Sequence, residues 1–471
     1  MKFRLSIAFT LVLGLSLNAQ KVWSLQDCFD YALQNNISVK QIELSNQYAQ
    51  NDLKQSKLNL YLPNINASIS ESFNFGNSID PTTYQFVNSA TNSTRFGING
   101  SYNIFEGLMK LNTVKANKDK LAATESEVEE LKNNTKLAIT NLYLQIIIAK
   151  EVTSIAKENK TLTQSQYKNT KALVDAGVLA KGSLLEIDAQ LAQNELNILN
   201  AENTLEKALN QLKQLLQLDL YKSFDIETIP MDDNLSLSAD EPQKITNDAL
   251  SILPQMKSAE YRLSAAKNDL KTTKGSLWPT LSVSAYVGTN YFSAAQEVES
   301  YNTSTTPIDI TIAGNPVTIG FPNQTPNLKN TAFAKQLENN LSENIAINLA
   351  IPILASWQRR TAIANSKLNV IKSELDIDSK KQQVNEDVFN AYTDLKMAYN
   401  KFVATEKNIA ASNEAYKYAD EKYKAGLLNS LEFETAKNRK LSALADQIQA
   451  KYEYFFRKVI LNYYKTGEIS F

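Results

Sequence analysis

The chain has 471 residues, with 49 basic and 50 acidic side chains, no histidine and one cysteine, Cys28. The near-balanced charge gives no reason to expect nucleic acid as a partner. The chain cannot form a Ser-His-Asp or Cys-His catalytic site, a histidine-bearing zinc site or an internal disulfide. The glycine motifs that bind nucleotide phosphates are also absent from the sequence. We therefore expect neither an enzyme nor a bound cofactor or metal.

The first 19 residues have the pattern of a secretory signal peptide. Lys2 and Arg4 precede an apolar stretch from Leu5 to Leu17, and Ala19 offers a small residue for cleavage. No later segment has the roughly 20 consecutive apolar residues that a transmembrane helix needs. The mature protein is therefore expected to be exported, and any membrane-spanning part is expected to be β-structure.

Residues 20–220 are predicted to form a first structural repeat. Its elements, in chain order, are short helices over 23–36 and 37–61, a β-hairpin over 63–106, a long helix over 107–176 and a return helix over 183–219. Alternating apolar and polar side chains in 65–75 and 95–105 predict the hairpin. The run Leu108–Ala176 lacks glycine and proline, which predicts a helix roughly 100 Å long. Apolar residues recur in it at multiples of seven, as in a coiled coil.

An acidic, irregular segment over 221–243 is predicted to link this repeat to a second one over 244–471. The elements of the second repeat are short helices over 245–253 and 255–277, a β-hairpin over 279–353 with a long loop over 292–343, a long helix over 353–425 and a return helix over 430–466. A small extra hairpin is expected inside the loop, around Gly314. Landmarks such as Tyr143 and Tyr392 recur at a shift of 392 − 143 = 249 residues. The chain is therefore predicted to be an internal duplication.

Each repeat supplies two amphipathic strands of about ten residues, the length that crosses a bilayer at a tilt. Four strands are too few to close a membrane barrel, and an open sheet edge in lipid leaves backbone groups unpaired. We therefore expect an oligomer, and the strand number admits either a dimer or a trimer. The alternative is a soluble hairpin cap over a coiled coil. Four alternating strands together with a signal peptide favour the outer membrane.

The order of these elements resembles the TolC family of outer-membrane efflux channels, over nearly all of residues 23–467. The motifs that match the family are the segment Leu25–Asn36, the Leu-Pro and Trp-Pro pairs at 62–63 and 278–279, NLYLQ at 141–145, NAYTDL at 390–395, DAGVLAKGSLLEID at 175–188 and YKAGLLNSLEFETA at 423–436. The resemblance implies a mainly α fold with membrane β-structure. It implies a homotrimer, in which a 12-stranded β-barrel in the outer membrane continues as a coiled-coil α-barrel across the periplasm.

The resemblance also implies a function: the exit duct of a tripartite efflux system, passively conducting small molecules from an inner-membrane pump and its periplasmic adaptor to the exterior. In the family the turns after the long helices receive the adaptor. This assigns adaptor binding to Gly177, Val178, Leu179, Gly426, Leu427 and Leu428. The periplasmic aperture would be formed by Glu186, Asp188, Tyr423, Glu432 and Glu434. Leu428 and Thr435 depart from the family pattern, in which a basic and an acidic residue hold the closed state.

Two other functions fit the same residues. One is the outlet of a type I protein secretion system, with the same structure and different partners. The other is a non-conducting structural coiled coil that spans the periplasm. Conductance in a lipid bilayer and a trimeric mass separate a duct from a scaffold. The cargo is set by the pump and adaptor, because a wet lumen lined by Asn and Ser imposes little selectivity.

Overall fold

The computed structural model describes residues 22–79, 84–88, 90–228, 240–354 and 357–469, so the predicted signal peptide lies outside the described residues. The chain falls into two compact units, and each takes residues from both predicted repeats. The helical unit comprises the described residues up to 51, with 118–265 and 371 onward. The sheet unit comprises the described residues of 52–117 and 266–370. No helix in the described part of the chain is both long enough and apolar enough to cross a membrane.

Two helices are far longer than the others. The helices are α1 (Leu25–Asn35), α2 (Ile37–Leu58), α3 (Met109–Asp175), α4 (Lys181–Leu216), α5 (Pro242–Ile252), α6 (Pro254–Gly275), α7 (Phe333–Asn339), α8 (Gln358–Lys424) and α9 (Ser430–Thr466). The long helices α3 and α8 have 67 residues each, a length of roughly 100 Å. Both were expected from the absence of glycine and proline. Helix α8 begins at Gln358 rather than at residue 353, after a turn in which Trp357 has a φ of +63°.

The helical unit holds two hydrophobic clusters, one from each predicted repeat. The first joins α1, α3 and α4, and its fully buried members include Cys28, Ile146 and Leu212. The second joins α5, α8 and α9 around Val388 and Tyr454. Corresponding helices of the two halves therefore bury corresponding faces, as expected when one helical pattern occurs twice.

Helix α1 begins where the sequence provides both parts of a capping box. The Ser24 hydroxyl oxygen accepts the Asp27 backbone N–H at 3.1 Å, and the Asp27 carboxylate accepts the Ser24 N–H at 3.1 Å. These bonds satisfy two backbone donors that the first helical turn leaves free. The capped helix then buries Leu25, Phe29 and Ala32 on the side predicted from their spacing.

A short parallel strand pair occupies part of the segment predicted as an irregular linker. Strand β1 (Val22–Trp23) pairs with β6 (Asp225–Ile226). The Ile226 side chain packs in the first hydrophobic cluster. The segment 221–243, predicted to be irregular, therefore contains regular structure at this strand and at its end, where α5 begins at Pro242. Residues 229–239 lie outside the described part.

Tyr143 connects α3 to this strand pair through hydrogen bonds. Its buried hydroxyl lies 2.8 Å from the carbonyl oxygen of Glu227 and 3.0 Å from that of Trp23, and donates to these acceptors. Burial raises the pKa of Tyr143, with smaller contributions from neighbouring Cys28 and Glu227. The phenol therefore remains a protonated donor at physiological pH.

Tyr143→Phe is expected to lower the free energy of unfolding by about 1–2 kcal/mol, because it leaves the partly buried carbonyl group of Glu227 without the Tyr143 donor, whereas the Trp23 carbonyl still accepts the Glu227 N–H. The melting temperature of the helical circular dichroism signal measures this change. Tyr392 provides the matched control, since its hydroxyl makes no hydrogen bond to the described residues. An equal loss in Tyr392→Phe would contradict the role given to the Tyr143 hydroxyl.

The main sheet has four antiparallel strands. The strands of the sheet unit are β2 (Asn64–Asn74), β3 (Asn77–Ile79), β4 (Phe86–Asn88), β5 (Thr91–Glu106), β7 (Thr280–Phe292), β8 (Gln296–Ile312), β9 (Asn315–Asn330) and β10 (Ser342–Ala350). The main sheet has the order β10-β7-β5-β2. The first hairpin, β2–β5, therefore lies beside the second, β7–β10. Within the described chain, β2 and β10 each leave one edge unpaired.

The strand register separates the sheet into an apolar and a polar face. On one face Ile69 lies opposite Phe96, and Val283 lies opposite Ile347. The other face carries cross-strand pairs of small polar residues: Asn66 with Asn99, Ser70 with Arg95, and Ser101 with Ser284. The alternation read from the sequence thus continues in phase across the four strands, except at the end of β5, where the register shifts between Asn103 and Phe105. Most of the apolar face is exposed in the single chain.

The segment predicted as a long loop over 292–343 is largely regular structure. Strands β8 and β9 form a hairpin that turns at Ala313-Gly314, and α7 follows. The small hairpin expected around Gly314 is therefore present, but its strands are much longer than predicted. Helix α7 is tied to β7 by Gln336, whose side-chain oxygen accepts the Phe292 N–H at 2.9 Å.

Candidate functional site

The turn between α3 and α4 is closed by a Schellman motif centred on Gly177. The Gly177 N–H donates to the carbonyl oxygen of Val174 at 2.9 Å, and the Val178 N–H donates to that of Leu173 at 2.9 Å. Gly177 has a φ of +76°, which a side chain would oppose. A Cβ added there would meet no atom within 4 Å. The need for glycine is therefore conformational rather than steric.

The turn between α8 and α9 repeats this geometry. The Gly426 N–H donates to the carbonyl oxygen of Tyr423 at 3.0 Å, and the Leu427 N–H donates to that of Lys422 at 2.9 Å. Gly426 has a φ of +74°. The two turns predicted as adaptor-binding sites thus have the same backbone geometry.

Apolar side chains are exposed at both turns. Val178 is 68% exposed and Leu427 is 77% exposed, while Leu179 is partly covered and Leu428 is half-buried. Leu431, the second residue of α9, is also highly exposed and was not singled out by the sequence. Single exposed apolar residues are ordinary, but adjacent ones on a tight turn are typical of an interaction surface.

The aromatic ring of Tyr423 packs inside the chain. It stacks on Phe433 of α9, with ring centroids 4.6 Å apart and planes 20° apart. Tyr416, about two helical turns before Tyr423 on α8, contacts the same Phe433 with ring centroids 5.8 Å apart. Burial, with a smaller contribution from Asp420, raises the pKa of Tyr416. Tyr423 therefore holds α8 against α9 just before the turn.

The four acidic residues predicted at the aperture occupy two different environments. Glu186, Asp188 and Glu432 are exposed, whereas Glu434 is buried. Glu432 lies in the first turn of α9, where its backbone N–H donates to the capping side chain of Asn429 at 2.9 Å. A carboxylate there is stabilised by the positive end of the helix dipole. Glu434 instead is buried within the helical unit, so its carboxylate is not exposed beside the turn.

Glu434 belongs to a buried group that we call the polar cluster, whose members are Asn159, Thr163, Gln166, Asn194, Glu434 and Lys437. The Lys437 ammonium lies 2.8 Å from both carboxylate oxygens of Glu434. It also donates to Thr163 Oγ1 at 2.8 Å and to Gln166 Oε1 at 3.2 Å. The cluster therefore connects α9 to α3 through hydrogen bonds and one ion pair.

The remaining members bring α4 into the polar cluster. Asn194 on α4 donates to Thr163 Oγ1 at 2.9 Å, and Asn159 donates to the Asn194 side-chain oxygen at 3.3 Å. Lys437 is 1% exposed. Burial lowers the pKa of Lys437, and the Glu434 carboxylate partly offsets that effect. The helices that carry the two turns are thus joined by a charged contact away from solvent.

Sequence reasoning missed Lys437. A lysine three residues after a glutamate on a helix usually forms a solvated pair. The available signal was its spacing: Lys437 lies four residues before Leu441 and four after Phe433, which places it on the same helix face as these two apolar residues. A charged residue on an apolar helix face requires a buried partner.

The fold and sequence match known outer-membrane proteins. Residues 29–217 and 245–455 match the family described as outer membrane efflux protein. Outer membrane efflux protein BepC of Brucella suis biovar 1 (strain 1330) is 21% identical over 360 residues, or 76% of this chain and 68% of BepC. The CmeC outer membrane channel of Campylobacter jejuni superposes with a TM-score of 0.73 at 18% identity, over 95% of this chain and 86% of CmeC. VceC of Vibrio cholerae gives 0.71 at 14% identity, over 95% and 97%.

These matches cover both halves of the chain and confirm the family expected from the sequence motifs. The long α3 and α8, each followed by a return helix, and the four-stranded sheet supply the elements on which the structural match depends. The chain therefore belongs to the outer membrane efflux protein family, the TolC-like channels that are located in the outer membrane and extend into the periplasm.

Proposed function

We propose that this protein is the exit duct of a tripartite efflux system, and that it works as a homotrimer. The observation that carries the proposal is the four-stranded sheet with one apolar face and two unpaired edges. An unpaired edge in lipid costs several kcal/mol for each backbone group. Pairing β2 of one copy with β10 of the next removes both edges, and three copies give twelve strands in a closed barrel.

The two faces of the sheet fit that assembly. The exposed apolar face, with Ile69, Ile345 and Ile347, would contact outer-membrane lipid. The opposite face, with its Asn and Ser pairs, would line a wet lumen. The sequence contains no nucleotide-binding motif, so an inner-membrane pump would drive transport through a passive duct.

The turns at Gly177 and Gly426 are proposed to bind the periplasmic adaptor. Their support is the shared Schellman geometry and the exposed Val178, Leu179 and Leu427. Leu428 contributes from a half-buried position. Two turns of the same backbone geometry in each of three copies would offer the adaptor six similar sites.

The periplasmic aperture is proposed to be lined by Glu186, Asp188 and Glu432, which threefold symmetry would arrange as rings. Tyr423 would set the position of this end of α8 through its stacking on Phe433. Glu434 is left out of the aperture, because its carboxylate is buried against Lys437.

The trimeric duct is tested by the mass of the detergent-extracted protein and by its conductance in a planar lipid bilayer. A trimeric mass together with ion conductance is expected. A monomeric or dimeric mass, or a trimer that conducts no ions, would contradict the proposal and favour a structural coiled coil.

Glu432→Gln is expected to weaken the cation preference of the channel by a factor of about 5, corresponding to ~1 kcal/mol for unit charges 4 Å apart in water. Reversal potentials under a salt gradient measure the preference. Glu206→Gln is a matched control, because Glu206 is an exposed carboxylate on α4 that forms no ion pair or side-chain hydrogen bond with the described part of the chain. An unchanged preference in Glu432→Gln removes Glu432 from the aperture.

A further inference from the structure

An apolar groove with two arginines lies where the chain leaves β10 and enters α8. It is lined by Leu277, by residues 352–354, by Trp357 and by Arg359 and Arg360. All of these residues belong to the sheet unit. None of them is used by the turns or the polar cluster described above.

The two guanidinium groups have no anionic partner in the described part of the chain. Arg359 donates from Nη1 to the carbonyl oxygen of Ser276 at 2.6 Å, which fixes its position. The Arg360 guanidinium carbon lies 4.2 Å from the ring centroid of Trp357. No described carboxylate lies within 4.0 Å of either group. Both arginines occupy the first turn of α8, where the helix dipole disfavours positive charge. An anion bound there would supply the missing negative partner and would offset the unfavourable interaction of the arginines with the helix dipole.

The corresponding junction of the first repeat has different chemistry. Leu108 has a φ of +62° and Trp357 has a φ of +63°, so each junction contains one residue in the left-handed backbone conformation. The first junction holds one cation, Lys110, whose ammonium lies 4.4 Å from the Tyr102 ring centroid and donates to the Asn103 carbonyl oxygen at 3.1 Å. The second junction holds two adjacent cations, and both are guanidinium groups, so the arginine pair is specific to it.

The groove continues the apolar face of the sheet. Ile353 is 93% exposed and Leu354 is 87% exposed, directly after the exposed apolar residues of β10. Trp278 and Trp357 are also largely exposed beside them. Tryptophan and arginine next to an apolar band are typical of the level at which lipid headgroups meet the hydrocarbon core. The guanidinium fork is suited to bind a phosphate oxygen pair.

We propose that this groove binds an anionic phospholipid of the periplasmic leaflet, with the lipid phosphate on Arg359 and Arg360 and an acyl chain along Ile353 and Leu354. The inference rests on the proposed function, in which the sheet lies in the outer membrane and α8 enters the periplasm. An anionic lipid is favoured over a zwitterionic one, because a headgroup amine would bring a third positive charge to a site that already holds two.

The test is lipid retention by the purified trimer in native mass spectrometry, with phosphatidylglycerol and phosphatidylcholine added separately. The wild-type trimer is expected to retain phosphatidylglycerol about tenfold better than the double variant Arg359→Gln/Arg360→Gln, which loses charge-assisted hydrogen bonds. The double variant Lys372→Gln/Lys396→Gln removes the same charge from exposed positions of the same helix and should behave as wild type. If the arginine double variant fails to assemble, Arg360→Gln alone replaces it, because the Arg360 side chain makes no hydrogen bond to the described residues.

Equal retention by the wild type and the arginine variant, or equal retention of phosphatidylcholine, overturns the lipid site. Displacement of the lipid by inorganic phosphate would identify a simple anion site and overturns it as well. Conductance of every variant is recorded in parallel. A conducting trimer without selective lipid retention contradicts only this inference, whereas a protein that neither trimerises nor conducts overturns the proposed function and the lipid site together.

Discussion

Leu427→Asp is expected to abolish export from intact cells while the protein still forms a conducting trimer. The Leu427 side chain projects from the α8–α9 turn and is 77% exposed, so its replacement removes little packing within the chain. At a proposed contact with the adaptor, however, it places a carboxylate where an apolar side chain would be buried. Loss of a central apolar contact typically costs at least ~2 kcal/mol of binding, roughly thirtyfold in affinity. Dye export measures the loss of transport, and recovery of the crosslinked adaptor measures the loss of adaptor binding.

Leu427→Met is the matched control, because it keeps an apolar side chain on the same turn. It is expected to export nearly as well as the wild type. Normal export by Leu427→Asp would show that the adaptor does not depend on this turn, and a missing trimer would show that Leu427 acts in assembly.

Glu434→Ala is expected to lower the free energy of unfolding by about 3–5 kcal/mol, the usual cost of leaving one partner of a buried ion pair alone. The Lys437 ammonium is the group that loses its ionic partner. It is 1% exposed and would keep only its contacts to Thr163 and Gln166. Thermal unfolding of the helical circular dichroism signal measures the loss. The double variant Glu434→Leu/Lys437→Met is expected to recover most of it, since an apolar pair of similar volume avoids burying charge.

The comparison of these variants separates an ion pair from ordinary packing. If the double variant is as unstable as Glu434→Ala, the loss comes from the volume of the side chains rather than from the charge left behind. A coupling energy near zero between the two positions would likewise contradict the buried pair.

The same ammonium gives the stability of the protein a specific pH dependence. Burial lowers the pKa of Lys437 in the folded chain below its ordinary value. Between those two pKa values the unfolded chain binds more protons, so the stability of the wild type should rise with pH in that interval. Lys437→Met lacks this contribution. The difference in melting temperature between wild type and variant should therefore increase toward alkaline pH, and a constant difference would contradict the assignment.

Much of the fold could be predicted because its signals are local. Gly177 and Gly426 end the two long helices, and Leu62-Pro63 marks the change from helical to alternating periodicity. The faces of the four strands follow from an alternation of side chains that needs no partner to be recognised. The positions of the turns were predicted for the same reason, because a left-handed residue at a helix end strongly favours glycine.

The features that sequence reasoning missed depend on contacts between distant segments. The β8–β9 hairpin contains Pro307, Pro316, Pro322 and Pro326 and alternates poorly, so it was expected to be mostly loop. A two-stranded ribbon tolerates such prolines, because half of its backbone N–H groups face outward rather than toward the partner strand. Glu434 is buried beside Lys437, whose ammonium donates to Thr163 and Gln166, more than 260 residues away in the chain, and no local pattern predicts this arrangement.

The unpaired edges of β2 and β10 have a genetic consequence if the proposed trimer forms. Each copy must pair its β2 edge with one neighbour and its β10 edge with the other. A single copy with an edge that cannot form these hydrogen bonds therefore prevents closure of the whole ring. A proline placed in the middle of β10 would therefore act dominantly: when both forms are made in equal amounts, only about one trimer in eight contains normal copies alone. Such a variant would suppress export in cells that still carry an intact gene, whereas loss of the gene would be recessive.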